Sequence, residues 1–243
     1  MPMLDGKIAF VSGGSGAVGA AVVRVLAREG CRVAYSYSKH PAAAKKLDAE
    51  LADRVRSYEL DVRDGPAAVA LAQQIESDLG PVDILINNAG VTQVMPFALI
   101  EEKDWDLLMD VNVKGMFLVT KAFIRGMIRR KRGAVVNMGS LAGMRVLDVP
   151  VHYATAKSAV VGFTLSLAKE MCRYGIRVNA VVPGMLTDGV SANVPPKQQE
   201  EYKRFCTLGR AGTPEEVAET VAFLASDRAS YINAQAIFID GGI

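Results

Sequence analysis

The chain has 243 residues, half of them apolar, and its 28 lysines and arginines nearly balance 26 aspartates and glutamates. So small a surplus is no argument for nucleic acid, which needs clustered cations, and no apolar run is long enough for a signal peptide or a membrane span. Cys31, Cys172 and Cys206 stand in no metal or redox spacing, so the expectation is a cytoplasmic protein with reduced, buried or inert thiols, folded as one large α/β domain over residues 1–243.

Short apolar, β-branched runs alternate with helical patterns almost from end to end. The strands are expected at "KIAFVS" (7–12), "RVAYSY" (32–37), "VRSYEL" (55–60), "VDILIN" (82–87), "GAVVNM" (133–138), "IRVNAV" (176–181) and "AIFID" (236–240). Helices fit between them at about 16–29, 42–53, 65–79, 104–131, 153–174 and 214–226. Several strands are nearly continuous in apolar residues, as parallel strands covered on both faces must be. The fold class is therefore α/β, a Rossmann-type doubly wound parallel sheet of about seven strands. Only residues 185–212 are irregular, and an insertion of that length is read as a substrate lid or, failing that, a surface loop.

The first strand runs into "VSGGSGAVGAA", which has two registers. Gly14-x-Gly16-x-x-Gly19 is the general dinucleotide fingerprint; Ser12-Gly13-x-x-x-Ala17-x-Gly19 is the alternative. Either lets the backbone approach a pyrophosphate at the N-terminus of the following helix. A carboxylate closing the second strand would hold the ribose hydroxyls of NAD(H). Here the strand closes on Tyr37, Ser38 and Lys39, and a hydroxyl with a lysine suits the 2′-phosphate of NADP(H).

Further along, "NNAG" (87–90) closes the fourth strand, Asn112 lies in "DVNVKG", and Ser140 follows the fifth strand. Tyr153 and Lys157 of "YATAK" share one helix face, four residues apart. Together these motifs make the chain resemble the short-chain dehydrogenase/reductase family over essentially its whole length, and within it the 3-oxoacyl-[acyl-carrier-protein] reductases. The resemblance selects the second register, with Ala17 where the family has its middle glycine. It implies Asn112, Ser140, Tyr153 and Lys157 as a catalytic tetrad. Its cofactor contacts would be Ser12, Gly13, Ser15, Ala17, Val18 and Gly19 at the turn, and Tyr37, Ser38 and Lys39 at the ribose. Asp61 and Val62 would flank the adenine. Asn88, Ala89 and Gly90, then Pro183, Gly184 and Thr187, would border the ribose and nicotinamide, with Tyr153 and Lys157 completing the set. No metal is implied.

The chemistry matches these residue types. Tyr153 can protonate a developing alkoxide, but free tyrosine titrates near about 10 and needs a cation such as Lys157 to lower it. Ser140 would orient the substrate oxygen. Met144, Val146, Leu147, Val149, Val151, Met185 and Leu186 suggest an apolar site for an acyl thioester, or packing against the lid or a partner subunit. An enoyl reductase is disfavoured, because that relative typically spaces its tyrosine and lysine more widely. The cluster Arg129, Arg130, Lys131, Arg132 is either a carrier-protein docking patch or an ordinary solvated helix end. A helix apolar nearly all round after Tyr153 points to a homo-oligomer, by resemblance a tetramer.

Overall fold

The computed structural model describes residues 2–243, apart from the side chains of residues 192 and 193. One sheet runs in the order β3-β2-β1-β4-β5-β6-β7, parallel throughout. Its strands are β1 (Ile8–Val11), β2 (Arg32–Tyr37), β3 (Val55–Glu59), β4 (Ile84–Asn87), β5 (Gly133–Met138), β6 (Ile176–Pro183) and β7 (Ala236–Ile239). The chain winds outward one way from β1 and then the other way from β4. A crevice therefore opens beyond the carboxyl ends of those two strands, where the crossovers part.

The helices are α1 (Ala17–Arg28), α2 (Pro41–Leu51), α3 (Gly65–Asp78), α4 (Glu102–Met109), α5 (Met116–Arg130), α6 (Val151–Met171), α7 (Pro196–Phe205) and α8 (Pro214–Ala225). They cover both faces of the sheet, and strand periodicity divides the core accordingly. Ala9, Val11, Ile84 and Ile86 point to the side of α1 and α8, where Val22, Leu26, Val217 and Val221 meet them. Ile8, Phe10 and Leu85 point the other way, onto Phe123, Met127 and Ala168. There Phe10 and Phe123 stack with ring centroids 4.4 Å apart. An aromatic pair of this kind adds about 1 kcal/mol beyond the area it buries.

Two expectations change. The helix expected over 104–131 is broken by a π-helical stretch, Asp110–Gly115, between α4 and α5. The irregular segment holds a real helix, α7, whose sequence PKQQEEYKRF is too polar to show an apolar face. Cys31 and Cys206 are buried and Cys172 is exposed. Cys31 is pushed up to about 12 by burial. Among the described residues no helix is long and apolar enough to cross a membrane.

Candidate active site

The glycine-rich turn joins β1 to α1. Gly13 takes a left-handed φ of +66°, and a Cβ there would lie 2.9 Å from the Ala89 Cα. A Cβ on Gly19 would run into the Gly13 carbonyl oxygen and the Asn88 amide. Gly16, by contrast, would meet nothing closer than 3.6 Å. Gly13, Gly14 and Gly19 are thus held by close contacts, Gly14 against Tyr35, whereas Gly16 is not.

Ser12 is buried, and its Oγ accepts from the backbone N–H of Asn88 and of Ala89 at 3.0 and 3.1 Å. The Asn88 amide donates back to the carbonyls of Ser12 and Gly13. These two side chains clamp the turn to the end of β4. Ser36 was not expected here, yet its Oγ accepts from Gly13 N and its carbonyl from Gly14 N. An apolar strand gives no hint that a serine inside it serves the neighbouring turn.

Ser15, Ala17 and Val18 lie on the half-buried side of the turn. Helix α1 begins without a side-chain cap and without an acidic residue in its first turn. Its uncapped N–H groups and positive dipole end suit an anion. The contrast is α8, whose Thr213 and Glu216 form a full capping box.

At the opposite side of the crevice, Ser140 leaves β5 and its Oγ accepts from Ala142 N at 3.2 Å. Tyr153 and Lys157 sit one turn apart on α6. Lys157 is buried, and its Nζ donates to the Met138 carbonyl at 2.9 Å and stands 5.8 Å from the Tyr153 ring centre. Burial lowers Lys157 to about 8. Burial also raises the Tyr153 phenol, opposed only by a hydrogen bond from Ser140. Lysine was expected to pull the phenol down. In this geometry desolvation is the larger influence, with the ammonium turned to a backbone carbonyl.

Asn112 lies within the π-helical stretch. Its Nδ2 donates to Leu108 O and Val91 O at 3.0 Å, and its Oδ1 accepts from Val91 N at 3.2 Å. Single π turns are frequent at functional sites because they free backbone groups from the regular ladder. A Cβ on Gly90 would lie 2.6 Å from Asn112 Oδ1 and 3.6 Å from Lys157 Nζ, so Gly90 is the spacer between them.

Residues 14–243 match the family model described as "Enoyl-(Acyl carrier protein) reductase". The chain is 37% identical over 243 residues to "Nodulation protein G" of Rhizobium meliloti (strain 1021), covering 99% of this chain and 98% of the relative. It is 37% identical over 242 residues to "3-oxoacyl-[acyl-carrier-protein] reductase FabG" of Thermotoga maritima, with the same coverage. The reductase of the same name from Vibrio cholerae is 34% identical over 240 residues, again covering 99% and 98%.

The chain belongs to the short-chain dehydrogenase/reductase family. It is an oxidoreductase acting between C=O and CH–OH, and the family works with a nicotinamide dinucleotide. The turn fits that group: Gly13 and Gly19 pack directly on Ala89, Asn88 and the turn's own backbone, leaving bare main chain beside an uncapped helix end.

The remaining residues of this short-chain reductase sort by position. Tyr37 is half-buried at the end of β2, with Ser38 and Lys39 exposed beyond it. Val62 is buried, and a Cβ on Gly115 would lie 2.6 Å from it. Asp61 is ion-paired with Arg63, which holds its carboxyl below the usual range, helped by the charge of Lys39. Pro183 ends β6, and Gly184 is wedged against Tyr202 and Asp240, its N–H donating to Ile239 O at 3.0 Å. Thr187 is exposed, and its N–H donates to Gly212 O at 2.9 Å.

Beyond Thr187 the segment folds back over the turn. A Cβ added at Gly189 would lie 3.5 Å from the Ala17 methyl, which therefore faces this segment. Gln198 of α7 donates to Asp148 at 3.0 Å, joining α7 to the loop between Ser140 and Tyr153. Of the apolar residues expected beside the substrate, Leu186 instead packs into the core under α8, because its pairing with Gly212 turns it inward.

One feature was not read from the sequence. Asn87 and Asn137 are partners in the β4–β5 register. Asn87 donates to Thr120 and Asn137, and Asn137 donates to Thr164, making a buried polar tie beneath the site. A single signal existed, asparagine near the ends of two apolar strands. The basic cluster ends α5, at the opposite end of β5 from Ser140. There Arg129 pairs with Glu76 at 3.5 Å, Arg130 with Asp83 at 2.7 Å and Arg132 with Asp83 at 3.2 Å.

Proposed function

We propose that this chain is an NADPH-dependent ketoreductase that converts a 3-oxoacyl thioester, carried on acyl carrier protein or coenzyme A, into the 3-hydroxyacyl thioester. The observation that carries this is the cluster of Ser140, Tyr153 and a buried Lys157 facing an uncapped glycine-rich turn. The two reductase relatives above support the substrate class. Four-residue spacing of Tyr153 and Lys157 favours a ketone over an enoyl substrate, whatever the broader description of the family model.

Bound along the crevice, the dinucleotide supplies a hydride to the carbonyl carbon. The side chains do the rest. Ser140 donates a hydrogen bond to the carbonyl oxygen and orients it, and Tyr153 delivers the proton that oxygen needs as it becomes a hydroxyl. Lys157, protonated, then stabilises the phenolate left behind. Asn112, through its hold on the chain at Val91, keeps the route from Lys157 to solvent in place for reprotonation. Helix α7 and the segment before it, within residues 185–212, cover the substrate as a lid.

For the cofactor, Ser38 and Lys39 at the end of β2, with no carboxylate there, favour NADP(H) over NAD(H). Arg130 is committed to Asp83, but Arg129 and Arg132 remain exposed and are the docking cations for an acidic carrier protein. Exposed Phe117, Leu165 and Phe238 argue for a homo-oligomer, a tetramer by family resemblance, working in the cytoplasm.

The test is NADPH oxidation with acetoacetyl thioester, beside NADH and beside Tyr153→Phe. Turnover that prefers NADPH and collapses in the variant is the expected result. Cofactor binding without turnover would retire the 3-oxoacyl assignment and leave another carbonyl as substrate.

A further inference from the structure

The corner where β2 and β3 end holds one arginine that the reading above does not use. The two strands are parallel neighbours in register, Tyr37 opposite Glu59, and Leu60 N donates to Tyr37 O at 2.9 Å. Both therefore finish together, and Ser38 and Lys39 leave β2 one strand spacing, about 4.8 Å, from the chain that carries Asp61. Asp61 is the carboxylate expected against the adenosine. Left bare, it would repel a 2′-phosphate, whose charge approaches about −2 at neutral pH.

It is not bare. Arg63 Nε lies 3.0 Å from both Asp61 oxygens, Nη2 bonds Oδ2, and Arg63 N donates to Oδ1 at 3.0 Å. Of the other nearby acids, Asp64 accepts from Ala67 N at the start of α3 and Asp110 pairs with Lys114 at 3.3 Å, while Glu59 is exposed at the end of β3. Without Arg63, Lys39 and Asp61 cancel. With it the Asp61 charge is offset beside Lys39, and Arg63 Nη1 has no hydrogen-bond partner among the described residues.

The geometry points to Arg63 as a residue that sets cofactor specificity: it neutralises Asp61 in place and presents a guanidinium edge to the adenosine 2′-phosphate. This rests on the NADP(H) reading of Ser38 and Lys39 and adds to it the residue that makes a carboxylate at the adenine compatible with a second phosphate. A planar fork suits both partners at once, one edge for the carboxylate and the other for phosphate.

The experiment is calorimetric titration of adenosine 2′,5′-bisphosphate and of AMP into the wild type, Arg63→Ser and Arg63→Lys, each checked for an unchanged melting temperature. Arg63→Ser is expected to weaken the bisphosphate about tenfold, the scale of one exposed charge-assisted contact. AMP should change less than about twofold, and Arg63→Lys should keep part of the affinity because the charge remains. An equal loss for both nucleotides would make Arg63 a support of the adenine pocket and overturn the proposal. So would no loss for either. A wild type that binds the two alike would overturn the NADP(H) reading itself, which separates that failure from this one.

Discussion

The side-chain oxygen of Asn112 stands 2.6 Å from where a Cβ on Gly90 would be. A real Cβ contact is essentially never that short, so a side chain at residue 90 requires Asn112 to shift. Gly90→Ala must push the Asn112 amide off its bonds to Val91, since Leu108 O anchors the other side. Turnover is expected to fall at least about tenfold, the scale of misplaced catalytic geometry. Because Asn112 is buried, displacing its amide also costs stability, so the melting temperature should fall as well. Steady-state kinetics beside a thermal melt checks both.

Removing the proton donor separates binding from chemistry. Tyr153→Phe keeps the ring over Lys157 but deletes the hydroxyl, so cofactor dissociation constants should hold while kcat drops about 10²–10⁴-fold. Retained turnover would show that another group or water delivers the proton.

Burial of Lys157 makes a signed prediction about pH. Its folded value of about 8 lies below the ordinary 10.5, so the unfolded chain binds more protons between those two values. The penalty, on the order of 3 kcal/mol, is fully present below about pH 8 and is relieved as pH rises toward 10.5. Lys157→Met should therefore stabilise the protein at pH 7, less the lost bond to Met138 O, and the gain should shrink toward pH 10. Denaturant unfolding of both chains at the two pH values measures it. In the same range kcat/KM of the wild type should decline above about pH 8, as the ammonium that stabilises the phenolate is lost.

The polar tie beneath the site should be costly to cut. Asn137→Ala removes one acceptor of Asn87 Nδ2 and the donor to Thr164 Oγ1, while Asn87 keeps Thr120 and Thr164 keeps the Val160 carbonyl. A loss of about 2 kcal/mol is expected, read from the denaturation midpoint, from two buried hydrogen bonds worth about 1 kcal/mol each. Thr164→Val, which removes one partner at the edge of the tie, should cost less.

Much of this protein was legible before its coordinates. Seven apolar runs became seven parallel strands because a strand covered on both faces must be apolar along its length, whatever its neighbours. Gly13 and Gly19 could be singled out by spacing, and Ser140, Tyr153 and Lys157 by their joint occurrence. What the chain alone could not reveal depends on neighbours far away in sequence. Helix α7 has no apolar face to announce it and is held by Gln198 on Asp148 and Tyr202 on Asp240. The burial that sets Lys157 near 8 comes from packing of α6 on β5, not from any adjacent residue. Likewise Ser36 and Asn137 look like ordinary strand residues until register places one under the turn and the other against Asn87. Periodicity and local chemistry were carried by the sequence, whereas hydrogen-bond partners and desolvation were decided by the tertiary structure, because both depend on which distant groups share the same few ångströms.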